Sequence, residues 1–203
     1  MIRCVVWDFD GTLVLSNGLK RDGFLVLADE VAGGRAAMED ILASPPGDRT
    51  AIMAAFATRF GGDPAELVRR YSAWCEEQIL VCPERAGAGL VLARARAEGL
   101  RQHINSATPT GPLRTVVRRR YGDGVFDGVR GGHGAKVPNL LEIMAEEGLD
   151  PAQVAMIGDG EDDRAAAREV GCRFFGVADG TLSRLPDCGP LVSDLSELWP
   201  LPG

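Results

Sequence analysis

The sequence predicts an α/β fold with a three-layer parallel sheet and a block of helices inserted after the first strand. Three observations lead to this prediction. The apolar segment Cys4–Trp7 ends in two acids, Asp8 and Asp10. A helical pattern without any strand signal follows over residues 20–81. After residue 83, short apolar segments alternate with helical ones, which is typical of strand–helix–strand units in a parallel sheet.

The composition excludes several classes of protein. The chain has 203 residues, of which 45% are apolar, enough for one large domain or one domain with a smaller insert. The net charge of −7 argues against a nucleic-acid partner, because such partners favour basic surfaces. No apolar stretch has the length of a membrane span, and the N-terminus leads directly into a strand without a signal-peptide pattern. We therefore expect no membrane partner and a cytoplasmic location.

The five cysteines fit the same expectation. They are odd in number, scattered along the chain and never arranged as a Cys-x-x-Cys pair. This pattern indicates neither a zinc site nor a disulfide framework.

The end of the first strand carries the strongest chemical signal. Ligands of open α/β sheets bind where the strands end, and here Asp8, Asp10 and Gly11 follow the strand closely. Repulsion opposes ionisation of both acids unless a cation lies beside them. With Mg²⁺ bound, one carboxylate can act as a nucleophile while the other transfers a proton. Gly11 would allow backbone N–H groups to approach an anion.

The helical block is predicted to form a separate small bundle. Glycine and proline breaks divide it into three to four helices, with candidate segments at residues 24–31, 36–42, 51–60 and 64–80. The predicted boundaries are 1–16 and 83–203 for the sheet domain and 17–82 for the insert. The alternative is that these helices pack directly on the sheet.

In the rest of the chain, predicted strands alternate with predicted helices. Four further strands are predicted at residues 101–105, 125–130, 154–157 and 172–177. Helices are predicted at 86–98, 113–121, 137–147 and 164–170. Residues 191–199 predict a short strand followed by a helical turn.

Polar residues at the ends of the later elements are candidates for anion binding. Ser106 ends the second predicted strand, where its hydroxyl could donate to a phosphoryl oxygen. Thr108 is the alternative hydroxyl, and a serine before a helix can also be a simple N-cap. Lys136 opens a helix after a glycine-rich loop. A lysine there opposes the helix dipole, so it needs a counter-charge such as a phosphate or Asp8.

The fourth predicted strand also ends in acids. Asp159 could complete an oxygen-rich Mg²⁺ site together with Asp8 and the backbone carbonyl of Asp10. Asp163, four residues further on, could hold a metal-bound water or the ammonium group of Lys136.

These residues resemble the four motifs of the haloacid dehalogenase superfamily, whose members are mostly Mg²⁺-dependent phosphohydrolases. The run Asp-Phe-Asp-Gly-Thr from Asp8 resembles the first motif, and Asn-Ser-Ala-Thr-Pro around Ser106 resembles the second. Lys136 corresponds to the third motif, and Asp159 with Asp163 to the fourth. The motifs occur in the family's order over essentially the whole chain. The second strand departs from the family by being more polar than its usual apolar run.

The resemblance implies a Rossmann-like core with an inserted α-helical cap, similar to phosphoglycolate-phosphatase-like and β-phosphoglucomutase-like members. It implies that Asp8 is the nucleophile and Asp10 the general acid and base. It also implies a phosphate site formed by Ser106, Lys136 and Gly11. The implied Mg²⁺ site is formed by Asp8, Asp10 and Asp159, and Asp163 supports it without binding the ion directly.

The expected activity is hydrolysis of a small phosphorylated metabolite through an aspartyl-phosphate. A phosphosugar mutase is the alternative, because β-phosphoglucomutase-like members share these motifs. Asp10 argues against dehalogenation, since the superfamily's dehalogenases lack this second acid. The filled motifs argue against a binding module without catalysis. The sequence does not identify the substrate; Lys20 and Arg21 could bind a second anionic group or simply begin a helix, and His133 is a further candidate for the pocket.

Overall fold

The structure, a computed structural model of the chain, describes residues 1–180, 182–185 and 189–201. Cys188 lies outside these residues, and the four described cysteines are free thiols. None of the described helices is both long and apolar enough to cross a membrane.

Six parallel strands form one sheet within the described residues. In chain order the strands are β1 (Cys4–Trp7), β2 (Arg101–Ser106), β3 (Gly128–Gly131), β4 (Val154–Gly158), β5 (Arg173–Val177) and β6 (Leu191–Val192). Their order across the sheet is β3-β2-β1-β4-β5-β6. This arrangement confirms the predicted α/β class with a parallel sheet.

The chain divides into two compact units. The larger comprises residues 1–15 together with 82–203, and the smaller comprises residues 16–81. The smaller unit consists of four helices, α1 (Asn17–Ala28), α2 (Gly34–Ala43), α3 (Arg49–Phe60) and α4 (Pro64–Val81). It has its own aromatic contacts: Phe24 stacks on Tyr71 with ring centroids 4.2 Å apart, and Phe56 on Phe60 at 4.9 Å.

The larger unit contains the sheet and four longer helices. These are α5 (Ala88–Ala97), α6 (Thr110–Tyr121), α7 (Lys136–Glu147) and α8 (Glu161–Val170), with 3₁₀ turns at Pro151–Gln153, Leu182–Arg184 and Leu195–Leu198. The central strands β1 and β4 are buried along their whole length. Strands that are covered on both faces are apolar throughout, which explains their continuous runs of valine, isoleucine and alanine.

The third strand differs from its prediction. It spans Gly128–Gly131, whereas the sequence predicted residues 125–130. The ring of Phe126 turns aside to pack edge-on against Tyr121, with centroids 5.5 Å apart. The Asp127 side chain then accepts a hydrogen bond from the Gln102 backbone N–H at 2.7 Å, in the place of a strand carbonyl. The ladder therefore starts three residues later than the apolar pattern indicates.

Candidate active site

The two acidic strand ends meet at one edge of the sheet. Strands β1 and β4 are neighbours, with Trp7 beside Ile157, and the Asp8 N–H donates to the Ile157 carbonyl at 2.8 Å. Asp8 and Asp159 each leave their strand within two residues of that pair. One carboxylate oxygen from each of Asp8, Asp159 and Asp163 lies within 4.8 Å of the other two. Acids far apart in the sequence therefore form one buried cluster.

Lys136 lies among these acids. Its Nζ donates to Asp8 Oδ1 at 2.7 Å and also to Asp163 Oδ1, and lies 3.7 Å from Asp162 Oδ2. The side chain is 7% exposed, although the residue opens α7, where a cation opposes the helix dipole. Burial alone would lower the pKa of Lys136, but the surrounding carboxylates raise it above its ordinary value. The lysine therefore stays protonated and supplies the positive charge of the cluster.

Burial makes the carboxyl groups of Asp8 and Asp163 harder to ionise. Burial raises the pKa of Asp8 well above its usual range; Lys136 opposes this, while Asp163 and Asp159 add to it. Burial likewise raises the pKa of Asp163 to about 7, against the effect of Lys136. When all three clustered carboxyls ionise, their negative charge exceeds the single positive charge of Lys136. A bound cation would remove that imbalance.

The backbone brings Asp163 close to this cluster. Asp163 lies in the first turn of α8 and accepts a hydrogen bond from the Gly160 N–H at 3.0 Å. A Cβ atom on Gly158 would be 2.3 Å from Asp163 Cγ. A glycine is therefore needed at the end of β4 to allow the helix to approach the strand.

Both candidate hydroxyls lie beside Asp10. Thr108 Oγ1 donates to Asp10 Oδ2 at 2.7 Å, whereas Ser106 Oγ lies 3.5 Å from the same oxygen. Ser106 Oγ also accepts a hydrogen bond from the Thr108 N–H at 3.1 Å. Ser106 is not the N-cap of α6, because that position is Pro109. The assignment of Ser106 to phosphate binding thus stays a prediction, with Thr108 as its alternative.

Gly11 forms the turn after the two acids. Its φ of 81° lies in the left-handed region that favours glycine. Its N–H donates to the Val14 carbonyl at 2.7 Å, so this amide already serves the turn. Binding of a phosphate oxygen by the same amide stays a prediction.

Two polar residues of the site had no role assigned from the sequence. Thr12 Oγ1 donates to Asp159 Oδ1 at 3.1 Å and so fixes one oxygen of that carboxylate. Asn105 Nδ2 donates to the Lys136 carbonyl at 2.9 Å, and Asn105 Oδ1 accepts from Asn139 Nδ2 at 2.9 Å. For Asn105 the sequence offered one signal, the polarity of β2, because a buried amide in a strand needs hydrogen-bond partners. Here the hydrogen bonds of Asn105 fix the start of α7.

Three further polar candidates stay untested, and one buried histidine has a structural contact. His133 is exposed. His103 is buried and its Nε2 lies 2.8 Å from Glu147 Oε1, which is a structural contact. Lys20 and Arg21 belong to α1 of the smaller unit, and their proposed binding of a second anionic group stays a prediction.

The cluster fits a hard divalent cation. Its three candidate ligands are all carboxylates, and oxygen-only sites suit Mg²⁺, Ca²⁺ or Mn²⁺ rather than zinc. The excess of negative charge described above favours the same ligand.

Comparison with known proteins identifies the family of the chain. Residues 5–168 match the family model described as haloacid dehalogenase-like hydrolase. No curated protein sequence matches the chain significantly.

Solved structures share the fold. CbbY from Rhodobacter sphaeroides, solved in complex with phosphate, has 20% identity and a TM-score of 0.73, with 98% of this chain and 97% of that chain covered. A predicted phosphoglycolate phosphatase from Haemophilus somnus has 18% identity and a TM-score of 0.71, covering 88% and 86%. A candidate β-phosphoglucomutase from Thermotoga maritima has 17% identity and a TM-score of 0.73, covering 88% and 87%.

At these identities the structural similarity shows a common fold, and the family model supplies the assignment. Its match extends from β1 through most of α8 and includes all the acids of the cluster. The chain belongs to the haloacid dehalogenase-like hydrolase family.

Proposed function

We propose that the protein is a Mg²⁺-dependent phosphate monoester hydrolase that acts on a small phosphorylated metabolite. One observation carries the proposal: Asp8, at the end of the central strand, lies 2.7 Å from Lys136 and within 4.8 Å of the Asp159 and Asp163 carboxylates. A carboxylate with an adjacent ammonium group and further acids for a cation is suited to phosphoryl transfer.

Asp8 is the proposed nucleophile. Its carboxylate attacks phosphorus in line with the leaving oxygen and forms an aspartyl-phosphate. Lys136 neutralises charge on the equatorial oxygens, and the hydroxyl of Ser106 or Thr108 donates to one of them. A divalent cation bound by Asp8, Asp159 and the Asp10 carbonyl would shield the repulsion between the phosphate and the acids.

Asp10 is the proposed proton carrier. As a general acid it protonates the leaving oxygen, and as a general base it then takes a proton from the water that hydrolyses the aspartyl-phosphate. The residue is buried, and its carboxylate accepts a hydrogen bond from the Thr108 hydroxyl at 2.7 Å. This bond fixes the orientation of the Asp10 carboxylate.

The smaller unit, residues 16–81, is proposed to act as a cap that excludes water and selects the substrate. Its position in the sequence supports this role, because it is inserted directly after the loop that carries Asp8 and Asp10.

A phosphate-release screen tests the activity. The substrates are sugar phosphates, phosphoglycolate, nucleotides and pyrophosphate, each assayed with Mg²⁺ and with EDTA. We expect release from at least one monoester, abolished by EDTA and by Asp8→Asn. Turnover that persists in the folded Asp8→Asn variant would remove Asp8 from its role.

A phosphosugar mutase is the second candidate. The candidate β-phosphoglucomutase among the similar structures favours it. CbbY, also solved in complex with xylulose-1,5-bisphosphate, has 18% identity and a TM-score of 0.74, and a sugar bisphosphate could serve either activity. A mutase would pass the phosphoryl group to a sugar hydroxyl instead of water. Product analysis after incubation with a sugar bisphosphate separates the two activities.

A further inference from the structure

One buried arginine in the larger unit has no part in the chemistry proposed above. Arg85 precedes α5, and its side chain is only 6% exposed. Its guanidinium binds backbone carbonyls: Nε donates to Gly11 at 3.1 Å and to Thr12 at 3.2 Å, and Nη1 to Ser193 at 3.3 Å. Nη2 donates to Gly11 as well. The two carbonyls of the loop after β1 therefore converge on a single side chain.

The same guanidinium binds the loop after β5. Its Nη2 donates to Asp179 Oδ2 at 2.8 Å, and the Asp179 side chain is 33% exposed. Arg85 thus connects two loops that lie on opposite sides of β4 in the strand order. The strand between them leads into Asp159.

Both of these loops touch Asp159. From the β1 side, Thr12 Oγ1 donates to Asp159 Oδ1 at 3.1 Å. From the β5 side, Gly180 packs so closely that a Cβ atom on it would be 2.0 Å from Asp159 Oδ2, and the Leu182 N–H donates to the Asp159 carbonyl at 3.1 Å. The two carboxylate oxygens of Asp159 are therefore bounded by the two loops that Arg85 joins.

We infer that Arg85 is a positioning residue that, through Asp179 and the carbonyls of Gly11 and Thr12, fixes the Asp159 carboxylate for cation binding. The inference rests on the proposed function, in which Asp159 binds the cation. Arginine suits this role because its planar group donates in several fixed directions at once. A trans peptide places C=O and N–H on opposite sides, so fixing the Gly11 carbonyl also fixes the direction of the Thr12 N–H.

Stability alone is a weak explanation for this arrangement. Burying the Arg85 guanidinium costs desolvation, and apolar residues of similar volume often stabilise a fold as well or better. Groups that orient metal-binding side chains, by contrast, typically affect metal affinity about 10- to 100-fold when they are removed.

The test is cation affinity measured without substrate. Calorimetry with Mg²⁺, and electron paramagnetic resonance with Mn²⁺, are applied to the full chain and to the variants Arg85→Met, Arg85→Lys and Asp179→Asn. Arg120→Met is the matched control, because the Arg120 side chain is also buried, at 8% exposure, and also donates to a backbone carbonyl, that of Cys82 at 2.8 Å.

We expect Arg85→Met to weaken cation binding about 10-fold or more, by analogy with other groups that orient metal ligands. Arg85→Lys should fall between this variant and the wild type, because one ammonium group cannot reach both loops. Asp179→Asn should have a smaller effect, since an amide oxygen still accepts from Arg85. In Arg120→Met we expect a lower melting temperature and unchanged cation affinity. Phosphate release should show the same order, as a higher Mg²⁺ concentration for half-maximal rate.

The outcomes separate the inference from the proposed function. Equal cation affinity in wild type, Arg85→Lys and Asp179→Asn overturns the inference and leaves the proposed function intact. Loss of affinity in Arg120→Met to the same degree also overturns it, because a general loss of rigidity would then be the cause. Absence of cation binding in the wild type overturns the proposed function and the inference together. If Arg85→Met does not fold, the lysine and asparagine variants decide.

Discussion

Two ionic clusters of the larger unit differ in their charge balance. The site cluster, Asp8, Lys136, Asp159 and Asp163, is buried and has more carboxylates than cations. Burial raises the pKa of Asp8 and Asp163 there. The second cluster, which we call the edge cluster, lies on β2, β3 and α7 and consists of Arg101, His103, Arg130, Glu146 and Glu147.

In the edge cluster each charge has a partner of opposite sign, and Arg130 Nη2 binds Glu146. Arg101 Nε binds Glu147 Oε2 at 2.8 Å, and His103 Nε2 lies 2.8 Å from Glu147 Oε1. Burial opposes ionisation of Glu147, but its bonds from Arg101 and His103 lower its pKa. Arg130 Nη1 lies 3.3 Å from His103 Nδ1. A guanidinium only donates, so Nδ1 accepts and the proton of the neutral ring is on Nε2.

This difference indicates what each cluster is for. A balanced cluster has no need of a ligand and serves the fold. A cluster with excess buried charge is unfavourable on its own and becomes favourable when a cation binds. Charge balance therefore distinguishes a functional cluster from a structural one, and each of the following experiments tests that distinction.

The largest expected effect is that of Asp8→Asn on turnover. We expect kcat to fall by at least about 10⁴-fold, because the nucleophile is removed. The free energy of unfolding without a cation should not decrease, because one carboxylate of an overcharged cluster has become neutral. Urea unfolding and steady-state kinetics measure the two quantities; a marked loss of stability would contradict the charge argument.

The next largest effects are expected for the hydroxyls of Ser106 and Thr108, which lie beside Asp10. We expect Ser106→Ala to lower kcat/KM about 100-fold, as loss of one donor to a transition-state oxygen does. Thr108→Val should cost about 10-fold, because it removes the hydroxyl that donates to the Asp10 carboxylate without removing a phosphate ligand. Kinetics of the two variants side by side provide the measurement. The reverse order of effects would make Thr108 the phosphate-binding hydroxyl.

A substitution in the edge cluster should lower the free energy of unfolding and leave turnover nearly unchanged. Glu147→Ala removes the acceptor of the buried His103 and the partner of Arg101, so we expect a loss of about 2 kcal/mol in the free energy of unfolding. At a temperature where the variant is folded, kcat should stay within about twofold of wild type. A large drop in kcat with unchanged stability would show that the edge cluster belongs to the site.

The smallest expected effect is a pH dependence of stability due to His103. Burial lowers the pKa of His103, opposed by Glu147, while Arg130 also lowers it and Asp127 has the opposite effect. Below about pH 6.5 the unfolded chain protonates this histidine while the folded protein does not, so stability falls as the pH decreases.

The slope that one such proton adds is at most about 1.4 kcal/mol per pH unit. His103→Gln can make both hydrogen bonds of the neutral ring but cannot take up the proton, so its stability should fall less between pH 6.5 and 5.5. Urea unfolding at both pH values measures the difference, and parallel slopes in the two proteins would contradict it.

The sequence predicted those elements that are determined by the residue pattern of the segment itself. Asp8 and Asp159 follow apolar runs, and a strand that is buried on both faces must be apolar, so the strands and the acids at their ends could be found together. The start of β3 could not, because it depends on the packing of Phe126 against Tyr121.

Arg85 was missed for a related reason. A charged residue between two elements resembles a solvated linker, and its partner Asp179 is 94 residues away in the sequence. Thr12 was part of the quoted motif, but its bond to Asp159 spans 147 residues. Contacts of this kind depend on the order of the strands in the sheet, and a single sequence does not determine that order.

The most direct test of the account is to trap the proposed intermediate on Asp8. The protein is mixed with a ³²P-labelled substrate found in the screen, quenched in acid within milliseconds and digested, and the labelled peptide is identified. We predict a hydroxylamine-sensitive label on the peptide that contains Asp8, present in wild type and in Glu147→Ala and absent in Asp8→Asn. A label on another residue, or rapid turnover without any label, would contradict the account.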